Sequence, residues 1–163
     1  MSENLPPVID SRAAYRAALL WGFDTAIAQG ARTITCVDAD FVEWPLGDPA
    51  LLAQLTGWLR LPQRNLVLLA AGYDEVPRQH PRFNAWRRDW THAMQAWQAP
   101  PEMAATLPSL LLDDRSLSVH LVDATHWRGS ARLDLRSAHL WHERVDTVLQ
   151  RSERAFAANT LGL

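Results

Sequence analysis

The period of the apolar positions changes several times along this chain, and each change marks an element. Tyr15, Leu19, Phe23 and Ile27, with Ala18 and Ala26 beside them, recur at helical spacing. Residues three and four apart share one helix face, so the pattern predicts a helix over residues 11–29 with one apolar side. Asp10 or Ser11 supplies the short side chain that caps its free N–H groups, and Gly30 stops it. Thr33-Ile34-Thr35-Cys36-Val37 is short and β-rich and predicts a strand. Asp48-Pro49 opens a second helix, carried to Arg60 on Leu51, Leu52, Leu55, Trp58 and Leu59. Leu66-Val67-Leu68-Leu69-Ala70 is unbroken apolar sequence, the mark of a strand covered on both faces.

The second half is less regular. Residues 72–81 read as loop, and a short helix over 82–91 carries Phe83, Trp86 and Trp90. Ala93-Met94-Gln95-Ala96-Trp97 alternates, so it is an edge strand or a continuation of that helix, and Ala99-Pro100-Pro101 ends it either way. Residues 106–112 form a strand that turns through Asp113-Asp114-Arg115-Ser116 into Leu117-Ser118-Val119-His120-Leu121-Val122, a β-hairpin. Residues 124–130 are irregular, and residues 132–135 form one more short strand. A final helix runs from Ser137 to Ala157, with Leu140, Val145, Val148, Leu149 and Phe156 inward. Residues 1–9 read as a flexible leader and 10–163 as a single α/β domain. Strands alternating with helices imply a three-layer sandwich: a mixed, mainly parallel central sheet flanked by helices.

Composition narrows the chemistry. The net charge of -2 argues against a nucleic-acid partner and against attraction to anionic membrane. No apolar run approaches the roughly 20 residues that span a bilayer, and the N-terminus lacks a signal-peptide pattern. With a single cysteine, Cys36, no intrachain disulfide forms. The expectation is a cytoplasmic protein without membrane partner or cofactor. All sixteen basic residues are arginine, as in a GC-rich bacterial genome. That removes Schiff-base lysine chemistry and the P-loop lysine. No glycine pattern for a dinucleotide and no Gly-x-Ser-x-Gly elbow is present.

Leu110-Leu111-Leu112-Asp113-Asp114-Arg115, within this order of elements, resembles the catalytic strand of the phospholipase D superfamily. In that family the strand carries His-x-Lys-x-x-x-x-Asp, with histidine as nucleophile and lysine on the phosphate. Anchored on Asp113, Thr106 stands in the place of the histidine and Pro108 in that of the lysine. Anchored on Asp114, Leu107 and Ser109 stand there. The resemblance therefore implies a degenerate half-domain without phosphodiesterase activity. It also implies a homodimer, since such halves pair across this strand, with Trp97 and Trp127 contributing. His126-Trp127-Arg128 with Asp134 approximates the motif, but the aspartate comes one position late and so points to the other face.

Three further readings stay open. Asp38 and Asp40, with Glu43 nearby, follow the first strand where α/β sheets place ligands, and suit Mg²⁺ in an enzyme on a doubly wound sheet; as turn formers they need no ligand. His139 and His142 share a helix face. Arg82, Arg87 and Arg88, interleaved with Trp86 and Trp90, form a local positive cluster able to grip phosphate or nucleic acid, or to lay their stems on tryptophan. The small-molecule ligand is not legible.

Overall fold

The computed structural model describes residues 5–157. Its elements run α1 (Arg12–Ala28), β1 (Thr33–Asp38), α2 (Pro49–Leu59), β2 (Asn65–Ala70), α3 (Val76–Gln79), α4 (Pro81–Trp86) with a 3₁₀ turn at Arg87–Trp90, β3 (Met94–Gln98), α5 (Pro101–Ala104), β4 (Ser109–Asp113), β5 (Leu117–Asp123), β6 (Arg128–Leu133), α6 (Leu135–Leu149) and β7 (Glu153–Arg154). The strands form one sheet in the order β6-β5-β4-β1-β2-β3-β7.

The sheet is mixed, but most of its pairings are antiparallel rather than parallel. β1, β2 and β3 run parallel, joined by crossovers that contain α2 and then α3–α4. β4 returns antiparallel to β1, β5 and β6 follow as hairpins, and β7 lies antiparallel to β3. Short turns leave a strand no choice but to reverse, which is why the second half overturns the mainly parallel expectation.

Helices cover both faces. On one, Tyr15, Leu19 and Phe23 of α1 and Leu51, Leu55 and Trp58 of α2 pack over Ile34, Cys36, Leu66, Leu68 and Leu111. On the other, Val145 of α6 packs over Val37, Leu69, Leu110 and Leu112, with Trp141 and Val148 at the margin. The alternation within β1 and β4 divides their side chains between these two cores. At Gly22 the first helix comes close to the sheet, because a Cβ there would lie 2.7 Å from Leu111 Cδ2.

The helix capping follows the sequence. Ser11 accepts from the Ala14 amide at 3.0 Å, and Asp48 from the amides of Ala50 and Leu51. Three local readings change. The alternating stretch is strand β3, an inner strand because Trp97 and Gln98 pair with β7. The segment called irregular enters β6 at Arg128. The last helix stops at Leu149 instead of reaching Ala157. There the Ser152 hydroxyl donates to the Val148 carbonyl at 2.7 Å and the chain turns back into β7. Of the expected leader, residues 1–4 lie outside the described residues; Ile9 is buried and bridges to Gly129.

Candidate functional site

The strand that drew the resemblance is an inner strand, β4, but its residues serve the fold. Thr106 and Pro108 precede it, and the Thr106 hydroxyl is spent on the Met103 carbonyl at 3.2 Å. Asp113 is wholly buried. Its carboxylate accepts from Gln29 Nε2 at 2.5 Å and from the amides of Arg115 and Leu117 at 2.8 and 3.0 Å, so it ties the β4–β5 turn to the end of α1. His142 Nε2 donates to the Asp113 carbonyl at 2.6 Å. Asp114 accepts from the Arg32 amide at 3.0 Å. An acidic strand end of this kind is a folding device, since a buried carboxylate survives only when donors surround it.

Asp38 is the mirror of that arrangement at the other end of β1. Its carboxylate accepts from the Ser109 hydroxyl and from the amides of Phe41 and Asp40 at 2.8 and 3.2 Å. Burial raises its pKa, against the opposing pull of those hydrogen bonds. Asp40 is exposed and accepts from the Val42 amide at 3.1 Å. The two carboxylates are therefore turn formers around Phe41, whose φ is 62° and whose carbonyl accepts from His80 Nε2 at 2.7 Å. Among the described residues no three metal-ligating side chains converge. His139 pairs instead with Glu143 at 3.2 Å, and His126 with Asp123 at 2.8 Å. Trp127 packs on Tyr15, and Trp97 lies beneath the Arg154 guanidinium. Cys36 is fully buried in apolar surroundings, which drive its pKa up and leave it a thiol.

The arginine cluster separates on folding. Arg82 is exposed, donates to the Gly47 carbonyl at 3.2 Å and lines a shallow recess beside His80. Arg88 points to solvent. Arg87 turns inward and is only 6% exposed. It lines a cleft of about 410 Å³ at the β3–β7 edge together with Arg154.

A larger groove, of about 630 Å³, lies on the opposite end of the sheet between α6 and the β5–β6 hairpin. Its floor is His120, Val122, Ser130 and Arg132, and its wall is Ser137, Leu140, Trp141 and Arg144, with Glu143 and Thr147 at the rim. The register explains the floor: Ser130 pairs with His120 and Arg132 with Ser118, so alternate β6 residues face α6. The Arg144 guanidinium sits 5.2 Å from the Trp141 ring centroid, and His120 packs on the same ring with centroids 4.4 Å apart. Burial, and then the charge of Arg144, lower the His120 pKa, so its imidazole is neutral at pH 7. The sequence reading missed this groove. The signal was present, in Arg128, Ser130 and Arg132 at strand spacing and Ser137, Trp141 and Arg144 at helical spacing. It was hidden because residues 124–130 read as loop, which left no floor for α6 to cover.

No helix among the described residues is long and apolar enough to cross a membrane. No protein-family model matches the chain. No curated protein matches it significantly. Among solved structures it is similar to the archaeal chromatin protein TrmBL2, described as showing a novel mode of DNA binding, with a TM-score of 0.52 at 12% identity. The match covers 82% of this chain and 51% of that one, so the chain spans about half the length of that neighbour. At this identity the likeness speaks for the fold. It overturns the phospholipase D resemblance, because the matching fold is that of a chromatin protein and the motif strand spends its polar groups on turns. The homodimer inferred from paired halves loses that support. The charge-based expectation against a nucleic-acid partner is also withdrawn: the neighbour is a DNA-binding protein, and net charge averages over unlike surfaces. Between residues 128 and 154 this chain carries six arginines and four carboxylates, against an overall charge of -2.

Proposed function

We propose that this chain is a nucleic-acid-binding domain that grips the phosphate backbone through the groove between α6 and the β5–β6 hairpin. The observation that carries the reading is the pair Arg132 and Arg144 in the lining of one groove, beside the hydroxyls of Ser130, Ser137 and Thr147, His120 and a single carboxylate, Glu143. Guanidinium forks match phosphate oxygens, and Ser130, Ser137 and Thr147 are short donors of the kind that fix a backbone in register. Trp141 and neutral His120 add ring surface on which an unstacked base can lie. The fold shared with TrmBL2 supports the same class of partner. Nothing in the groove distinguishes one base edge from another, so binding is sequence-tolerant and electrostatic. Glu143 at the rim subtracts from the field, which makes the affinity modest and steeply salt-dependent.

The test is fluorescence anisotropy of labelled duplex and single-stranded DNA across a salt series. The wild-type affinity falls as salt rises, and the Arg132→Ala, Arg144→Ala double variant lowers the log–log slope by about one per arginine removed. Binding that ignores salt, or a slope unchanged in the double variant, refutes this site.

A further inference from the structure

The core beneath α6 is left open at one margin. Val37, Leu69 and Val145 are buried there, but Leu107, Trp141 and Val148, which pack against them, are only partly covered. These six residues line a pocket of about 160 Å³, with Thr106, Pro108 and Arg144 completing its wall. The chain explains the opening. Strand β4 begins only at Ser109, so residues 106–108 meet α6 as an irregular segment and leave a gap beside the helix. An apolar hollow offers water few hydrogen-bond partners, and a ring that displaces such water gains by it.

The pocket is continuous with the phosphate groove. Trp141 and Arg144 line both. The floors also join: Ser109 pairs with Leu121, so Pro108 and Val122, one residue further out, lie on the same side of the sheet as Leu110 and His120. Val122 belongs to the groove and Pro108 to the pocket. A nucleotide whose phosphate lies on Arg144 therefore meets the pocket with its base. Size then selects the form of nucleic acid. A cavity of about 150 Å³ holds a benzene ring, so this one admits a single flat ring and no base pair. In a duplex every base is paired and stacked, and one reaches such a pocket only by flipping out at a cost. Thr106 supplies a polar handle: its hydroxyl donates to the Met103 carbonyl, which leaves the oxygen free to accept from a base N–H.

We propose that the groove selects single-stranded nucleic acid, one unstacked base of which enters the pocket between α6 and residues 106–108 while its phosphate lies on Arg144. This selectivity rests on the phosphate grip proposed above. The two are separable, because phosphates carry the grip and a base carries the selectivity.

Fluorescence anisotropy of the full chain with labelled oligothymidylate, an abasic strand of equal length and a duplex of equal length, at one salt concentration, tests the assignment. Oligothymidylate binds the wild type about tenfold or more tighter than the abasic strand, the scale of one stacked base. It also binds tighter than the duplex, although the duplex carries twice the charge. Val148→Phe and Leu107→Phe each fill the pocket and bring oligothymidylate down to the abasic level, while the abasic strand binds both variants as it binds the wild type. Leu107 lies outside every helix and strand, so its variant keeps the test open if thermal melting shows Val148→Phe to be unfolded. Equal binding of oligothymidylate and the abasic strand by the wild type overturns the base slot and leaves the phosphate grip standing. A duplex bound as tightly as oligothymidylate overturns the strand selectivity. An undiminished preference for oligothymidylate in a folded pocket-filled variant puts the base outside the pocket and overturns its location. Absence of binding by all three removes the grip and the slot together.

Discussion

Arg87 and Arg144 are both arginines laid against an aromatic ring, yet everything around them differs. Arg87 lies 3.4 Å from the Phe156 centroid and is buried, and no carboxylate among the described residues lines its cleft. Arg144 lies 5.2 Å from the Trp141 centroid on an exposed helix face, next in sequence to Glu143. A desolvated charge interacts strongly with one well-fitting ion and is inaccessible to anything large. An exposed charge interacts weakly, but many such charges add up along a polymer and are tuned by salt. Ring stacking alone therefore says little about what an arginine binds; depth decides it.

Stability separates the two most sharply. Arg87→Ala removes the buried guanidinium and the contacts of its stem, and costs about 2 to 4 kcal/mol in urea denaturation. Arg144→Ala, at the surface, stays within about 0.5 kcal/mol of the wild type. Arg87→Met should recover most of the loss, because it restores volume without an unpaired charge. Equal losses in Arg87→Ala and Arg144→Ala would erase the distinction between a buried and an exposed cation.

Gly129→Ala comes next in size and acts on the groove alone. A Cβ at Gly129 falls on the His120 carbonyl and crowds the Leu121 Cα, inside the β5–β6 pairing. Overpacking of this kind costs about 1 to 3 kcal/mol, and it displaces Ser130 and Arg132 from the floor. DNA affinity falls with the displaced floor. DNA affinity unchanged in this variant would place the contact outside the groove.

Much of the fold was legible in the sequence and little of the sites. Helical spacing gave α1, Asp48-Pro49 gave the start of α2, and the unbroken apolar run gave β2, all within a residue or two. These are local patterns that tertiary packing merely confirms. The pairing of strands is not local: the alternation of Arg128, Ser130 and Arg132 becomes an outer strand only once β5 lies beside it. Phe156 shows the same limit. Its spacing continues the face of α6, but the chain reverses after Gln150 and delivers the ring to Tyr73 and Arg87 instead. The arginines of residues 82–88 form a cluster in sequence, whereas depth, which sorts Arg87 from Arg82 and Arg88, exists only in three dimensions.

The smallest effect is the pH response of the groove. His120 is held below its ordinary pKa of about 6.5 by burial and then by Arg144. The folded state thus binds fewer protons than the unfolded one just below that pH, so the stability from His120 is complete above about 6.5 and declines as pH falls toward its folded pKa. Phosphates in the groove would offset Arg144 and favour the imidazolium, so DNA binding takes up a proton and tightens as pH drops from 7 to 6. Arg144→Ala removes the repelling charge, raises the His120 midpoint in an NMR titration and shifts the DNA response with it. A His120 midpoint at or above that of a free imidazole in the wild type would contradict the packing of His120, Trp141 and Arg144 from which the groove is built.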